Sequence, residues 1–206
     1  MININQFINE KLRLTNIRYT SCPKNKEELR KILEERLEKD KDADLNDIDV
    51  SNITNMGSEN TKHGLFNGLD PRDIKIDRWN VSNVKDMSYM FYGCQNFTGE
   101  TVETWDTSNV ENMAGMFQKC AKLDCDLNDW DVSRVTDMGG MFYECRKFNS
   151  NLSNWDVSEV KNMRYMFGYC YKFTGEGLEQ WKPNNLEDKE NTFICAFSAC
   201  VPSWGS

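Results

Sequence analysis

The 206 residues carry 25 Lys and Arg against 33 Asp and Glu, a formal net charge of −8. That balance argues against nucleic acid, which needs a basic stripe to meet its phosphates, and against anionic membrane surfaces. Hydrophobic content is 39 % with 12 % aromatic, so a real core is expected, and no apolar run approaches the ~20 residues of a membrane span.

Residues 1–20 alternate near Leu12, Leu14, Ile17 and Tyr19, which reads as an extended segment or hairpin. Asn3, Asn5, Gln6, Asn9, Glu10 and Lys11 interrupt any apolar core there, so the stretch does not read as a signal peptide. A cytoplasmic setting is the default that follows. After Pro23-Lys24-Asn25, Asn25 and Glu28 form a capping box, and Leu29, Ile32, Leu33 and Leu37 make one apolar face. The spacing predicts an amphipathic helix ending near Lys39-Asp40-Lys41-Asp42. Residues 1–42 are therefore expected to form an N-terminal cap over the repeats that occupy 43–206. The same apolar face could instead receive a partner.

The repeats begin imperfectly. Leu45-x-x-Ile48-x-Val50-Ser51-x-Ile53-x-x-Met56 has Ile where later units have Trp, and Gly57–Gly64 is inserted before Leu65-Phe66. That polar insertion reads as a surface loop, with some capacity to bind. His63, the single histidine, is by itself no metal or catalytic signal. Four regular units follow, from Trp79, Trp105, Trp130 and Trp155, separated by 26, 25 and 25 residues. In each, Trp-x-Val (Trp-x-Thr at Trp105) alternates like a very short strand with one buried face. Met163, Met166, Phe167 and Cys170 then stand at i, i+3, i+4 and i+7, the stripe of a short helix. Asp86, Asn112, Asp137 and Asn162 sit where its N-cap would be. The last unit, from Leu178-x-x-Trp181, has Pro183 in place of Val and appends four residues before Thr192. Phe193, Ala196, Phe197 and Cys200 are expected to supply its stripe.

Met90-Phe91-x-x-Cys94, Met116-Phe117-x-x-Cys120, Met141-Phe142-x-x-Cys145 and Met166-Phe167-x-x-Cys170, each preceded by a run such as Trp130-Asp131-Val132-Ser133, resemble the BspA-like leucine-rich-repeat proteins. The likeness covers about the last three-quarters of the chain. It implies an α/β repeat: a leucine-rich-repeat-like, right-handed solenoid of short parallel strands and short helices, about six coils long with the helical cap at its start. It also implies protein contact at a bacterial cell surface, and no catalytic residues.

Eight cysteines are present. A disulfide framework and a zinc site are both conceivable, but Cys120/Cys125 and Cys195/Cys200 have four intervening residues each, which fits zinc ligation poorly. Four cysteines fall on the inward slot of the repeat, which favours a ladder of reduced, buried thiols. No Ser-centred elbow, phosphate-binding glycine loop, calcium loop or cleft-forming acid pair is visible, so no catalytic residue, cofactor or metal is expected.

If Trp and Val point inward, the residues beside Trp point out. One outward column is Asp49, Asn80, Asp106, Asp131, Asp156 and Lys182; its neighbour is Asp47, Arg78, Thr104, Asp129, Asn154 and Gln180. Adjacent parallel strands lie ~4.8 Å apart, so Asp106, Asp131 and Asp156 would stack as like charges. Two readings follow. The recurring Asp-x-Ser spacing suits Asx turns that shape each coil. Alternatively Asp49, Asn80, Asp106, Asp129, Asp131, Asn154 and Asp156 form a docking face for a basic protein partner. The expected product is a monomeric, non-enzymatic, protein-binding repeat, either adhesin-like or an intracellular inhibitor or immunity-type protein.

Overall fold

The computed structural model describes residues 18–58, 64–196 and 201–205. Leu12, Leu14, Ile17, His63, Phe197 and Cys200 lie outside them. One α-helix, α1, spans Lys26–Lys39. Asn25 Oδ1 accepts the Glu28 N–H, and the Glu28 carboxylate accepts the N–H of Lys24, at 2.9 Å each. The first bond satisfies a donor that the opening helical turn leaves unpaired, while Glu28 reaches back to Lys24 instead of to Asn25, so the expected capping box is displaced by one residue on its return side. Leu29, Leu33 and Leu37 recur every four residues and are fully buried, which seats one side of α1 on the core. Just ahead of α1, the Thr20 N–H bonds the Asp47 carbonyl and the Asp49 N–H bonds that of Ser21, so the N-terminal segment pairs with the Ile48 coil.

The remainder is a stack of coils, but not the expected solenoid of short parallel strands and short helices. No continuous strand and no sheet occur among the described residues. Parallel pairing is reduced to single-residue bridges, chiefly Asn55–Asp86–Asn112–Asp137–Asn162–Asp188. Nor is the Met-x-x-Met-Phe-x-x-Cys segment helical. In the Trp105 coil Met116, Gln118 and Cys120 donate N–H to residues three back, Met113, Gly115 and Phe117. An α-helix requires bonds to the residue four back. Two positions per coil also hold positive φ: Tyr89, Gly115, Gly140 and Tyr165 (54°, 59°, 62° and 56°), and Gly93, Lys119, Glu144 and Tyr169 (75°, 66°, 63° and 59°). Such left-handed residues break a right-handed helix and mark tight turns instead.

These turns free alternate N–H groups to reach the next coil. Met113, Gly115, Phe117 and Lys119 donate to Asp137, Gly139, Met141 and Tyr143 at 2.7–3.0 Å. The Trp79, Trp130 and Trp155 coils make the same four bonds to the coil that follows. The residues assigned as N-caps therefore cap nothing. Asp86, Asn112, Asp137 and Asn162 accept the N–H two residues on, closing Asx turns, while forming the bridges.

The inward residues are nevertheless those of the apolar stripe: Met113, Met116, Phe117 and Cys120 are all fully buried. Two side-chain columns run along the stack, phenylalanine from the first coil and tryptophan from the second, Ile48 standing at the tryptophan place of the first. Phe66, Phe91, Phe117, Phe142, Phe167 and Phe193 stack with centroids 4.8, 5.6, 6.0, 5.7 and 5.6 Å apart and rings within 12° of parallel. Beside them the indole N–H groups of Trp79, Trp105, Trp130, Trp155 and Trp181 donate to the carbonyls of Leu45, Ile76, Val102, Leu127 and Leu152 at 2.7–3.0 Å. Each acceptor opens the preceding coil.

The last unit departs from its expected register. Phe193 takes the place of Phe167 in the stack, and Ala196 takes the Cys place. Trp181 and Phe193 are 12 residues apart, as Trp155 and Phe167 are, so nothing is inserted before Thr192. Trp204 then stacks on Trp181 at 5.7 Å and donates to the Leu178 carbonyl at 3.4 Å, continuing the tryptophan column.

Trp130→Phe would keep a buried ring but strip the Val102 carbonyl of its indole donor. A loss of about 1–3 kcal/mol is expected for an unpaired buried acceptor. Urea denaturation should show a lower midpoint at unchanged slope, while Asp129→Asn on the exposed side leaves the midpoint in place.

Candidate binding faces

Asn80, Asp106, Asp129, Asp131, Asn154 and Asp156 are exposed, and Asp49 is half-buried. Asp106, Asp131 and Asp156 each follow a tryptophan of the indole ladder by one residue, so they occupy equivalent places on consecutive coils. Their carboxylates are not free rotors. One oxygen of each accepts a backbone N–H, from Ser108, Ser133 and Ser158, at 3.0–3.1 Å. The hydroxyls of Ser108 and Ser133 add a second bond at 2.6 Å. The Ser133 hydroxyl and amide hold the Asp131 carboxyl below the ordinary carboxylate range. Asp49 makes the same turn with Ser51, and Asn80 with Ser82, so an amide serves this geometry as well as a carboxylate. The Asx-turn role is thus present at five places in the column. In the neighbouring column the Asp47 carboxylate is engaged by the Arg36 guanidinium of α1 at 3.2 Å on both arms and by the Thr20 hydroxyl. Asn154 donates its N–H to Asn128 Oδ1.

The inserted loop keeps its ends tight. The Ser58 N–H bonds the Ser88 carbonyl and hydroxyl, and a Cβ on Gly57 would strike Asp86 Oδ1 at 2.1 Å.

The thiols of Cys120, Cys145 and Cys170 donate to the carbonyls of Phe91, Phe117 and Phe142 at 2.9–3.1 Å, and Cys94 makes a longer contact to Phe66 at 3.6 Å. These cysteines carry no disulfide. Burial pushes all four thiols well up from their ordinary range. No group of three or more His, Cys, Asp or Glu among the described residues is placed to hold a metal.

A second face was not anticipated from the sequence. Tyr89, Tyr143, Tyr165 and Tyr169 line one groove of about 590 Å³, with Ala114, Gly139 and Gly140 among its small residues. Tyr143 meets Tyr165 and Tyr169 edge to face, at 5.9 and 5.3 Å. Burial raises the Tyr89 hydroxyl pKa, helped by the Asp137 carboxylate; burial likewise raises that of Tyr143, with Tyr169 and Glu144 contributing. Arg164 lies over the Tyr165 ring at 5.2 Å and reaches Glu190 at 2.9 Å. In the sequence the residue ahead of the second buried methionine of each unit runs Tyr89, Gly115, Gly140 and Tyr165, positions to which the repeat pattern gave no role.

A family model described as "Mycoplasma protein of unknown function, DUF285" matches residues 27–101 and again 85–204. The chain belongs to the DUF285 family. Two successive, overlapping matches are what a tandem repeat produces, so the repeat character of this DUF285 chain stands on the family match and on the stacked coils together. Neither a curated protein nor a solved structure matches it. No helix among the described residues of this DUF285 chain is long and apolar enough to cross a membrane.

Two outcomes follow for this DUF285 chain. Because the folded Asp131 pKa lies below its unfolded value of ~3.9, the group adds stability above that value and loses it as pH falls through the folded one. Asp131→Asn should flatten the acid limb of a stability–pH profile and lower stability at neutral pH only slightly. Separately, a thiol reagent at neutral pH should modify the exposed Cys22 rapidly, and Cys94, Cys120, Cys145 and Cys170 only after denaturant is added, as read by mass spectrometry of labelled peptides.

Proposed function

We propose that this chain is a non-enzymatic, protein-binding repeat whose aspartate strip docks on a basic partner. The observation that carries the reading is the arrangement of Asp106, Asp131 and Asp156, exposed on three consecutive coils and each preset by its own serine. A carboxylate already held in place loses little side-chain freedom when it meets a cation. Like charges at neighbouring positions repel, and Asn80 shows that an amide closes the same turn without the charge. Turn geometry alone therefore gives no reason for three carboxylates in a row, whereas a cationic partner does. The net charge of −8 adds long-range attraction for such a surface.

The resemblance to BspA-like proteins supports an adhesin-like setting at a bacterial surface. The unpaired thiols of Cys94, Cys120, Cys145 and Cys170 support the second reading, an intracellular inhibitor or immunity-type protein.

The test is a triple substitution, Asp106→Asn, Asp131→Asn and Asp156→Asn, which retains every turn acceptor. Immobilised wild-type and triple-Asn proteins are exposed to a lysate of the source organism, and captured proteins are quantified by mass spectrometry. The melting temperature is expected to stay within a few degrees. Capture of a basic protein should fall at least tenfold and weaken with added salt. Equal capture by both proteins would show that the strip is only a set of turns.

A further inference from the structure

The tyrosine face has one empty place. At the first left-handed position of the coil, the Trp79 and Trp155 units carry Tyr89 and Tyr165, while the two units between them carry Gly115 and Gly140. The two glycines are not equivalent. A Cβ on Gly115 would stand 2.3 Å from Tyr89 Cε1, so the Tyr89 ring already fills the space above that coil. A Cβ on Gly140 would meet nothing nearer than Tyr143 Cβ at 3.9 Å. The space above Gly140 is open, and it forms part of the groove walled by Tyr89, Tyr143 and Tyr165.

We propose that this gap is a slot for an aromatic side chain presented by a partner polypeptide. The comparable space above Gly115 is filled by a tyrosine ring, that of Tyr89. The walls suit such a guest, since Tyr143 already packs edge to face against Tyr165 and Tyr169 at interplanar angles of 88° and 76°. Aromatic rings prefer that geometry to a face-to-face sandwich. The groove, about 590 Å³ in volume, is open to solvent, so a ring carried on a partner's chain can reach it. Asp137, Asn162 and Arg164 at its margin can bond the hydroxyl or backbone that accompanies the ring. The slot rests on the reading that the chain binds another polypeptide, but not on the aspartate strip.

The probe is p-cresol, the tyrosine side-chain analogue, titrated into ¹⁵N-labelled full-length protein, with methyl glucoside as the sugar-ring comparison. Saturable amide shifts are expected at Ala114, Gly139 and Gly140 with p-cresol. Gly140→Tyr is the blocking variant, because Tyr89 and Tyr165 hold the same left-handed φ and a Cβ on Gly140 meets nothing nearer than 3.9 Å. It should keep the wild-type melting temperature and weaken p-cresol binding at least tenfold. If it does not fold, Tyr143→Ala, which removes one wall at a half-exposed position, should produce the same loss. Absence of saturable shifts in the wild type overturns the slot, as do unchanged shifts in the folded variant used. Tighter binding of methyl glucoside at the same amides overturns it too, in favour of a sugar site. Each of these failures leaves the triple-Asn experiment untouched, so the two readings fall separately.

Discussion

Each coil of this protein is incomplete without its neighbours, and the bond that makes it so runs from an indole N–H to a carbonyl one coil back. Tryptophan does two things at once there. Its ring is buried with 2–4 % exposure, and its single donor satisfies a buried acceptor that would otherwise cost stability. The bond also sets register, since an indole can reach only the residue that opens the preceding coil. The phenylalanine stack beside it is tolerant of small slips, because ring packing is far less directional than a hydrogen bond. Repeat length variation of 25 or 26 residues is therefore absorbed in the return segments and leaves the columns aligned.

The backbone bonds between turn segments have a direction, and the direction explains α1. Within the stack, the N–H groups of Ser58 and Phe66 point to the carbonyls of Ser88 and Met90 in the following coil. The equivalent carbonyls of the first coil, those of Gly57 and Leu65, face the start of the chain and have no earlier coil to supply donors. Lys26 and Arg30 of α1 supply them: the Lys26 ammonium bonds the Gly57 carbonyl, and the Arg30 guanidinium bonds those of Gly64 and Leu65. Lys41 does the same for Leu69. A helix with an apolar stripe and long cations beside it is a chemically matched end for these acceptors.

The outside of the stack treats charge in two ways. Along the bridge column, Asn55, Asp86, Asn112, Asp137, Asn162 and Asp188 alternate amide with carboxylate, and the amides of Asn55 and Asn162 donate to the carboxylates of Asp86 and Asp137. Repulsion is avoided and neighbouring side chains become partners. The column of Asp106, Asp131 and Asp156 has no such alternation. The contrast within one molecule, rather than acidity as such, makes the strip informative. The tyrosine face differs again, because it is irregular: ring, glycine, glycine, ring.

The sequence by itself determined the period, the inward residues and the capping of α1. Those follow from which side chains are apolar and from the local bond that Glu28 N–H donates to Asn25, neither of which needs a partner distant in the chain. The burial of Met163, Met166, Phe167 and Cys170 was legible for the same reason. Their backbone was not. A stripe at i, i+3, i+4 and i+7 points inward in a helix and also in a run of tight turns. The choice between the two was made by N–H groups that bond the next coil instead of the residue four back. The register of the last unit was lost likewise, because Lys189 breaks the apolar pattern while the Phe167–Phe193 stack preserves the alignment. The tertiary structure alone decided that Gly115 is filled and Gly140 is open, since the Tyr89 ring that separates the two cases belongs to a different coil.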